Sequence, residues 1–231
     1  MPRLRRPEII LALDVDTIKS VKKLVDKLYP RIKTFKVGSH LFTAFGPEII
    51  RLLHKKGAEV FLDLKYFDIP NTVAKAVEAA VRLKVKMLTL HISGGQEMIK
   101  AAVTAAKAQA QALNIRKPLL IGVTVLTSSQ AKPKDVLDLA KQGIASGLDG
   151  VVCSAREAAN LRQKIKKSFV IVTPGIRAND SLGDDQKRTA TVMQAVKAGS
   201  NFLVIGRPIL KAADSLAKTK ELLGDLHGRR N

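Results

Sequence analysis

The chain has 231 residues, 46% of them hydrophobic, and a mean hydropathy of +0.04, as expected for a soluble globular protein with a real core. No apolar run approaches the ~20 residues of a membrane span, and Met1-Pro2-Arg3-Leu4-Arg5-Arg6-Pro7 lacks the apolar stretch of a secretion signal, so a cytoplasmic location and no membrane partner are expected. Forty Lys and Arg against 20 Asp and Glu give +20, yet the cations are scattered (Lys19, Lys22, Lys55, Lys164, Lys187) and aromatics are only 4%, which argues against a specific nucleic-acid partner. The one cysteine, Cys153, excludes an internal disulfide, and in Val151-Val152-Cys153 it reads as a buried, inert thiol.

Short apolar segments alternate with longer helical patterns eight times. The first strand, Ile9 to Asp14, precedes an N-cap at Thr17 and a helix with Ile18, Val21, Leu24, Val25 and Leu28 inward. The second, Thr34 to Val37, places Thr34 and Lys36 on one face and leads through Gly38 to a helix opened by Gly46-Pro47. The third, Phe61-Leu62-Asp63-Leu64-Lys65, exits through Tyr66-Phe67-Asp68-Ile69 into Pro70-Asn71-Thr72 and a helix striped with Val73, Ala76, Val77, Ala80 and Val81. Met87 to His91 forms the fourth, before Ser93-Gly94-Gly95 and an alanine-rich helix. Leu119 to Val125, with Thr127 at its end, and Gly150 to Cys153 are the fifth and sixth. The seventh, Phe169 to Thr173, ends in Pro174-Gly175-Ile176-Arg177, and the polar connection Ala178 to Arg188 is long enough to serve as a lid. The eighth, Phe202 to Ile205, exits into Gly206-Arg207-Pro208 and a final helix ending near Leu223.

Three returns from helix to strand share one chemistry, Gly57-Ala58-Glu59, Gly147-Leu148-Asp149 and Gly199-Ser200-Asn201, in which a glycine ends the helix. Eight such units with short returns predict a (β/α)8 TIM barrel in one domain, residues 1–231, with 1–8 and 224–231 peripheral. An open doubly wound sheet is the alternative, because sequence does not show closure.

Side chains alternate along a strand, so Phe61, Asp63 and Lys65 share one face, and an acid and a base stand together there. An isolated Asp-x-Lys reads as a salt bridge at a strand end; Asp68, three residues further, gives Lys65 a second acid and favours its charged form. In a barrel the C-terminal strand ends converge, and there this chain delivers Asp14, Lys36, Asp63, Lys65, Thr127, Pro174, Arg177, Gly206 and Arg207. His91 reads as a hydrogen-bonded core histidine. Gly206 admits an anion to the backbone, Pro208 opens a helix, and Arg207 can grip phosphate with two donors.

The run Asp63-Leu64-Lys65-Tyr66-Phe67-Asp68-Ile69-Pro70-Asn71-Thr72 resembles the central motif of the orotidine 5'-phosphate decarboxylase family. Phe35-Lys36-Val37-Gly38, Leu126-Thr127-Ser128, Thr173-Pro174-Gly175-Ile176-Arg177, Gly183-Asp184-Asp185-Gln186-Lys187-Arg188 and Val204-Ile205-Gly206-Arg207-Pro208 resemble its other motifs, in order. The resemblance implies decarboxylation of orotidine 5'-phosphate to UMP with no cofactor and no metal, by Lys65, Asp63, Asp68 and Lys36. It further implies that Asp14 and Lys36 hold ribose hydroxyls, Thr127 the pyrimidine, and Gln186, Gly206 and Arg207 the phosphate, with Pro174 and Arg177 beside them. By the same resemblance, Asp68, Ile69 and Thr72 reach into the partner subunit's site in a homodimer. A related sugar-phosphate barrel of the keto-gulonate phosphate decarboxylase or hexulose phosphate synthase type, which usually needs Mg2+, is the nearer rival. A non-enzymatic polyanion binder, suggested by the charge, is the remote one.

Overall fold

The computed structural model describes residues 7–126, 132–177 and 189–228. In chain order it contains β1 (Glu8–Ala12), α1 (Ile18–Leu28), β2 (Thr34–Gly38), α2 (Ser39–Phe45), α3 (Pro47–Lys55), β3 (Glu59–Tyr66), α4 (Pro70–Arg82) and β4 (Met87–His91). A 3-10 turn, Ile92–Gly94, leads to α5 (Gly95–Ala112), β5 (Leu119–Val123), α6 (Pro133–Ala145), β6 (Gly150–Val152), α7 (Ala155–Lys164) and β7 (Val170–Thr173). The chain continues through α8 (Val192–Lys197), β8 (Phe202–Ile205), α9 (Arg207–Leu210) and α10 (Ser215–Leu226). All strands are parallel, each pairs with its sequence neighbour, and β8 returns to β1 in the register Glu8↔Phe202 to Leu11↔Ile205. That last pairing closes the barrel and removes the open-sheet alternative.

Local chemistry sets the boundaries. Thr17 caps α1 by accepting from the Ser20 amide at 3.1 Å, and prolines occupy the first turns of α3, α4 and α6, where no amide is needed. Gly57, Gly147 and Gly199 lie at φ +78°, +102° and +89°, the left-handed conformations that the three shared returns predict. Strand ends shift by one or two residues, β1 stopping at Ala12 and β5 at Val123, and two helical regions are divided. Gly46, at φ +52°, breaks the second helical region into α2 and α3, so a helix follows β2 directly. The final helix is also broken: Asp214 accepts from the Leu216 amide at 2.9 Å and begins α10, which leaves α9 a single four-residue turn. The spans expected to be peripheral also shrink, since Glu8 pairs within the barrel and Leu226 is buried.

The core has two compartments. Alternation sends Ile10, Ala12, Phe61, Met87, Ile121, Val172, Phe202 and Val204 into the barrel, while Leu11, Phe35, Val60, Leu62, Leu88 and Leu203 face the helices. At the N-terminal end a polar cluster plugs the interior. Lys86 Nζ donates to both oxygens of Glu8 (2.9 Å each), to Thr34 Oγ1 (2.8 Å) and to Glu59 (2.6 Å), and sits 5.2 Å from the Phe202 ring centroid. Thr34 therefore belongs to the floor of the barrel and Lys36, two residues on, to its mouth. Burial alone pushes the Glu59 carboxyl up, but Lys86, Thr34 and Lys33 outweigh it and hold the group below its usual value.

Replacing Lys86 by Met leaves Glu8 and Glu59 facing each other without their cation. We expect a loss of about 1–3 kcal/mol in urea unfolding at neutral pH. The sign is fixed by linkage: Glu59's contribution is present above its unfolded value and disappears as pH falls through the lowered folded one, so the deficit of Lys86→Met should shrink in acid. An equal deficit at both pH values would contradict this.

Candidate active site

At the opposite end of the barrel a cavity of about 260 Å3 opens between the strand ends. Its wall has two halves. Strands β1 to β3 and the exit of β1 supply Asp14, Lys36, Asp63 and Lys65 above Ala12 and Phe61, while β5 to β8 and their exits supply Val123, Val125, Leu126, Val152, Val172 and Val204. Pro174, Gly175, Arg177, Gly206 and Arg207 complete the rim.

The charged half is an alternating array. Lys36 Nζ lies 3.6 Å from Asp14 Oδ1 and 3.5 Å from Asp63 Oδ2, and Lys65 Nζ donates to Asp63 Oδ1 at 2.9 Å. The Lys36 and Asp63 side chains are each only 13% exposed, so this ion pair works in a weakly screened environment. Burial would raise the Asp63 carboxyl; the charges of Lys36 and Lys65, with hydrogen bonds from Lys65 and Thr89, more than offset it and hold the group below its ordinary value. Asp63 is thus an anion fixed between two cations.

The backbone beneath this array is irregular. Phe61 and Leu62 oppose Met87 and Leu88, but the next pair is Tyr66 with Leu90, so Asp63, Leu64 and Lys65 bulge opposite Thr89 alone. Lys65 has φ +52°, a strained conformation for a residue with a side chain. The bulge turns Lys65 into the cavity beside Asp63.

Asp68 is the residue that the structure does not bring to this group. Its Oδ1 accepts from the Ile69 amide at 2.6 Å, and among the described residues no ion pair joins it to Lys65. Among the described residues, Asp63 is therefore the one acid paired with Lys65. Its neighbours Phe67 and Ile69 are 60% and 66% exposed, and Thr72 lies exposed at the start of α4. His91 also departs from expectation. It is half-buried rather than a hydrogen-bonded core residue, lies edge-on to Phe67 with ring centroids 5.8 Å apart, and burial and the nearby Lys65 lower its imidazole value while Asp63 opposes them.

On the phosphate side, Gly206 approaches Asp14 so closely that a Cβ there would stand 3.3 Å from Asp14 Oδ2. Arg207 lines the cavity from a turn too short for an appreciable helix dipole, so anion binding there rests on the guanidinium and the backbone. Arg177 lines the cavity too, is only 8% exposed, and its main-chain amide donates to Ala190 O at 2.9 Å. Thr127, Gln186 and the connection Ala178 to Arg188 lie outside the described residues. Among the described residues no group of three or more His, Cys, Asp and Glu side chains is placed to hold a metal ion. Burial pushes the Cys153 thiol far up, as expected for an inert side chain. Sequence reasoning missed the apolar half of the cavity and Thr89.

Known proteins resemble the chain over nearly its whole length. The chain is 46% identical over 231 residues to an orotidine 5'-phosphate decarboxylase of Vibrio cholerae serotype O1, covering 95% of this chain and 98% of that one. It is 42% identical to one from Coxiella burnetii, covering 96% and 98%. The crystal structure of orotidine 5'-phosphate decarboxylase from Lactobacillus acidophilus superposes with a TM-score of 0.83 at 36% identity over 96% of this chain and 99% of that one. A family model described as "Orotidine 5'-phosphate decarboxylase / HUMPS family" matches residues 7–222. With its barrel closed and its charged array at the C-terminal strand ends, the chain belongs to the orotidine 5'-phosphate decarboxylase / HUMPS family.

Proposed function

We propose that this chain, acting as one barrel domain, decarboxylates orotidine 5'-phosphate to UMP in the cytoplasm without cofactor or metal. The observation that carries the reading is the array Asp14–Lys36–Asp63–Lys65 facing an apolar wall in one cavity. Cleavage of the bond from C6 to the carboxylate releases CO2 and leaves the electron pair on C6, with no ring orbital to spread it. The Lys65 ammonium stabilises that pair and then transfers its proton to C6, and water returns a proton to the lysine. Asp63 repels the substrate carboxylate beside it, and that repulsion is relieved as CO2 leaves. Asp14 and Lys36 hold the ribose hydroxyls, Thr127 the pyrimidine, and Gln186, Gly206 and Arg207 the phosphate, with Pro174 and Arg177 completing that side. Loss of ultraviolet absorbance from orotidine 5'-phosphate in EDTA tests the reading, and turnover there excludes the Mg2+-dependent sugar-phosphate activities. Lys65→Ala should abolish turnover while UMP still binds; near-normal kcat in that variant would refute the mechanism.

Phosphate recognition supplies binding energy far from C6. Arg207→Ala should raise KM roughly 10- to 100-fold through the loss of charge-assisted bonds, and orotidine without its phosphate should be a very poor substrate. An unchanged KM would move the phosphate site elsewhere.

We further propose a homodimer with shared active sites. Asp68 accepts from the Ile69 amide and forms no ion pair with its own Lys65, and Phe67 and Ile69 expose apolar surface on the same loop, as a chain does where a second copy covers it. Asp68, Ile69 and Thr72 then enter the neighbouring site and give its Lys65 the second acid. Lys65→Ala and Asp68→Asn homodimers should each be severely impaired. Refolded together, they should regain roughly a quarter of wild-type activity, because about half the dimers are mixed and each mixed dimer has one intact site. A mixture that exchanges subunits and stays inactive would place Asp68 in its own chain's site.

A further inference from the structure

We infer that Thr89 is a positioning residue for the decarboxylation, the group that holds the Asp63 carboxylate and the strained Lys65 backbone in one geometry. The inference rests on the decarboxylase reading and extends it to a residue that the motifs do not contain. Thr89 stands alone on β4 opposite the bulge Asp63-Leu64-Lys65, where the main-chain ladder between β3 and β4 is interrupted. Its hydroxyl fills that gap twice. Thr89 Oγ1 accepts from the Lys65 amide at 2.9 Å and donates to Asp63 Oδ1 at 2.9 Å.

The direction of these bonds matters. A hydroxyl has one proton, and giving it to Asp63 leaves its lone pairs for the Lys65 amide. The side chain is fully buried, so water does not replace it. Lys65 Nζ donates to the same Asp63 oxygen at 2.9 Å, which makes Asp63 Oδ1 the point where the Lys65 ammonium, the Thr89 hydroxyl and, through Thr89, the Lys65 backbone meet. Without the hydroxyl, the Lys65 amide has no partner to hold it at φ +52°, and Asp63 loses a donor that helps keep it ionised. Both reacting groups would then drift.

The test compares Thr89→Val, which keeps the shape and removes the hydroxyl, with Thr89→Ser, which restores it. Thr89→Val should lower kcat roughly 10- to 100-fold, as loss of a hydrogen bond to a charged group does, with UMP binding within about threefold of wild type. The Asp63 carboxyl, followed by carbon NMR through a pH titration, should titrate at higher pH in Thr89→Val, and the acid limb of kcat should move the same way. Thr89→Ser should recover most of the rate and the wild-type titration. A purely structural role would lower thermal stability without moving the titration. Wild-type kcat with an unshifted Asp63 in Thr89→Val, or a Thr89→Ser variant as impaired as Thr89→Val, would overturn the inference. Thr89→Ala, which adds no bulk, is read in the same way if Thr89→Val does not fold; failure of both to fold beside a normal Thr89→Ser would make the residue structural and also overturn it. Absence of turnover in the wild-type protein would refute the decarboxylase reading instead, and the Asp63 titration would still decide what Thr89 holds.

Discussion

The constraint on which the site depends is the burial of the Asp63 carboxylate between Lys36 and Lys65. A lone carboxylate at that depth would protonate, because its solvation energy is lost and nothing replaces it. Two cations and two hydrogen-bond donors reverse the balance and keep Asp63 below its ordinary value. The barrel makes this possible by closure: β1, β2 and β3 are adjacent in register, so Asp14, Lys36 and Asp63, each at the mouth of its own strand, reach one another without any long loop. The link to stability follows. A carboxyl with a lowered folded value contributes stability above its unfolded value and loses it as pH falls through the folded one, so acid weakens the fold and the charged array together.

Much of the fold was legible because helix ends carry explicit chemistry. Thr17, Pro70, Pro133 and the three positive-φ glycines fixed element order and most boundaries, and eight repeats then left a closed barrel as the economical arrangement. Gly46-Pro47 opens α3 as read, but the short α2 before it and the break at Asp214 were not legible, since seven- and four-residue helices are too short to show a period. The charged half of the cavity was legible from alternation alone, because a charge in an apolar strand is conspicuous. Its apolar half was not. Strands buried on both faces read as unbroken runs of Val, Ile and Leu, and nothing in Val151-Val152 says that Val152 faces the cavity and Val151 the helices.

Thr89 escaped for another reason: its importance comes from a register shift. Strict alternation places Asp63 and Lys65 on one face two residues apart, and no pattern in β3 shows that three of its residues share one partner on β4. The bulge changes what the motif means. Regular pleating would set Lys65 about 6.6 Å along the strand from Asp63 on the same face, with its amide in the ladder; the bulge gives up that ladder bond, turns the backbone to a positive φ, and sets the ammonium 2.9 Å from Asp63.

The two ends of the barrel show why the same ingredients serve different ends. At the floor, Lys86 is matched by Glu8, Glu59 and Thr34, so its donors are used and the cluster acts as a plug. At the mouth, Lys36 lies at 3.5 and 3.6 Å from its acids, near enough for attraction and too far for good hydrogen bonds. Donor capacity therefore remains for a ligand. Charge of this kind is held in place before any ligand arrives, which is what the proposed reaction requires where negative charge develops at C6. The apolar wall across the cavity completes the arrangement, since a lining of low polarity screens the field of the array less than water would.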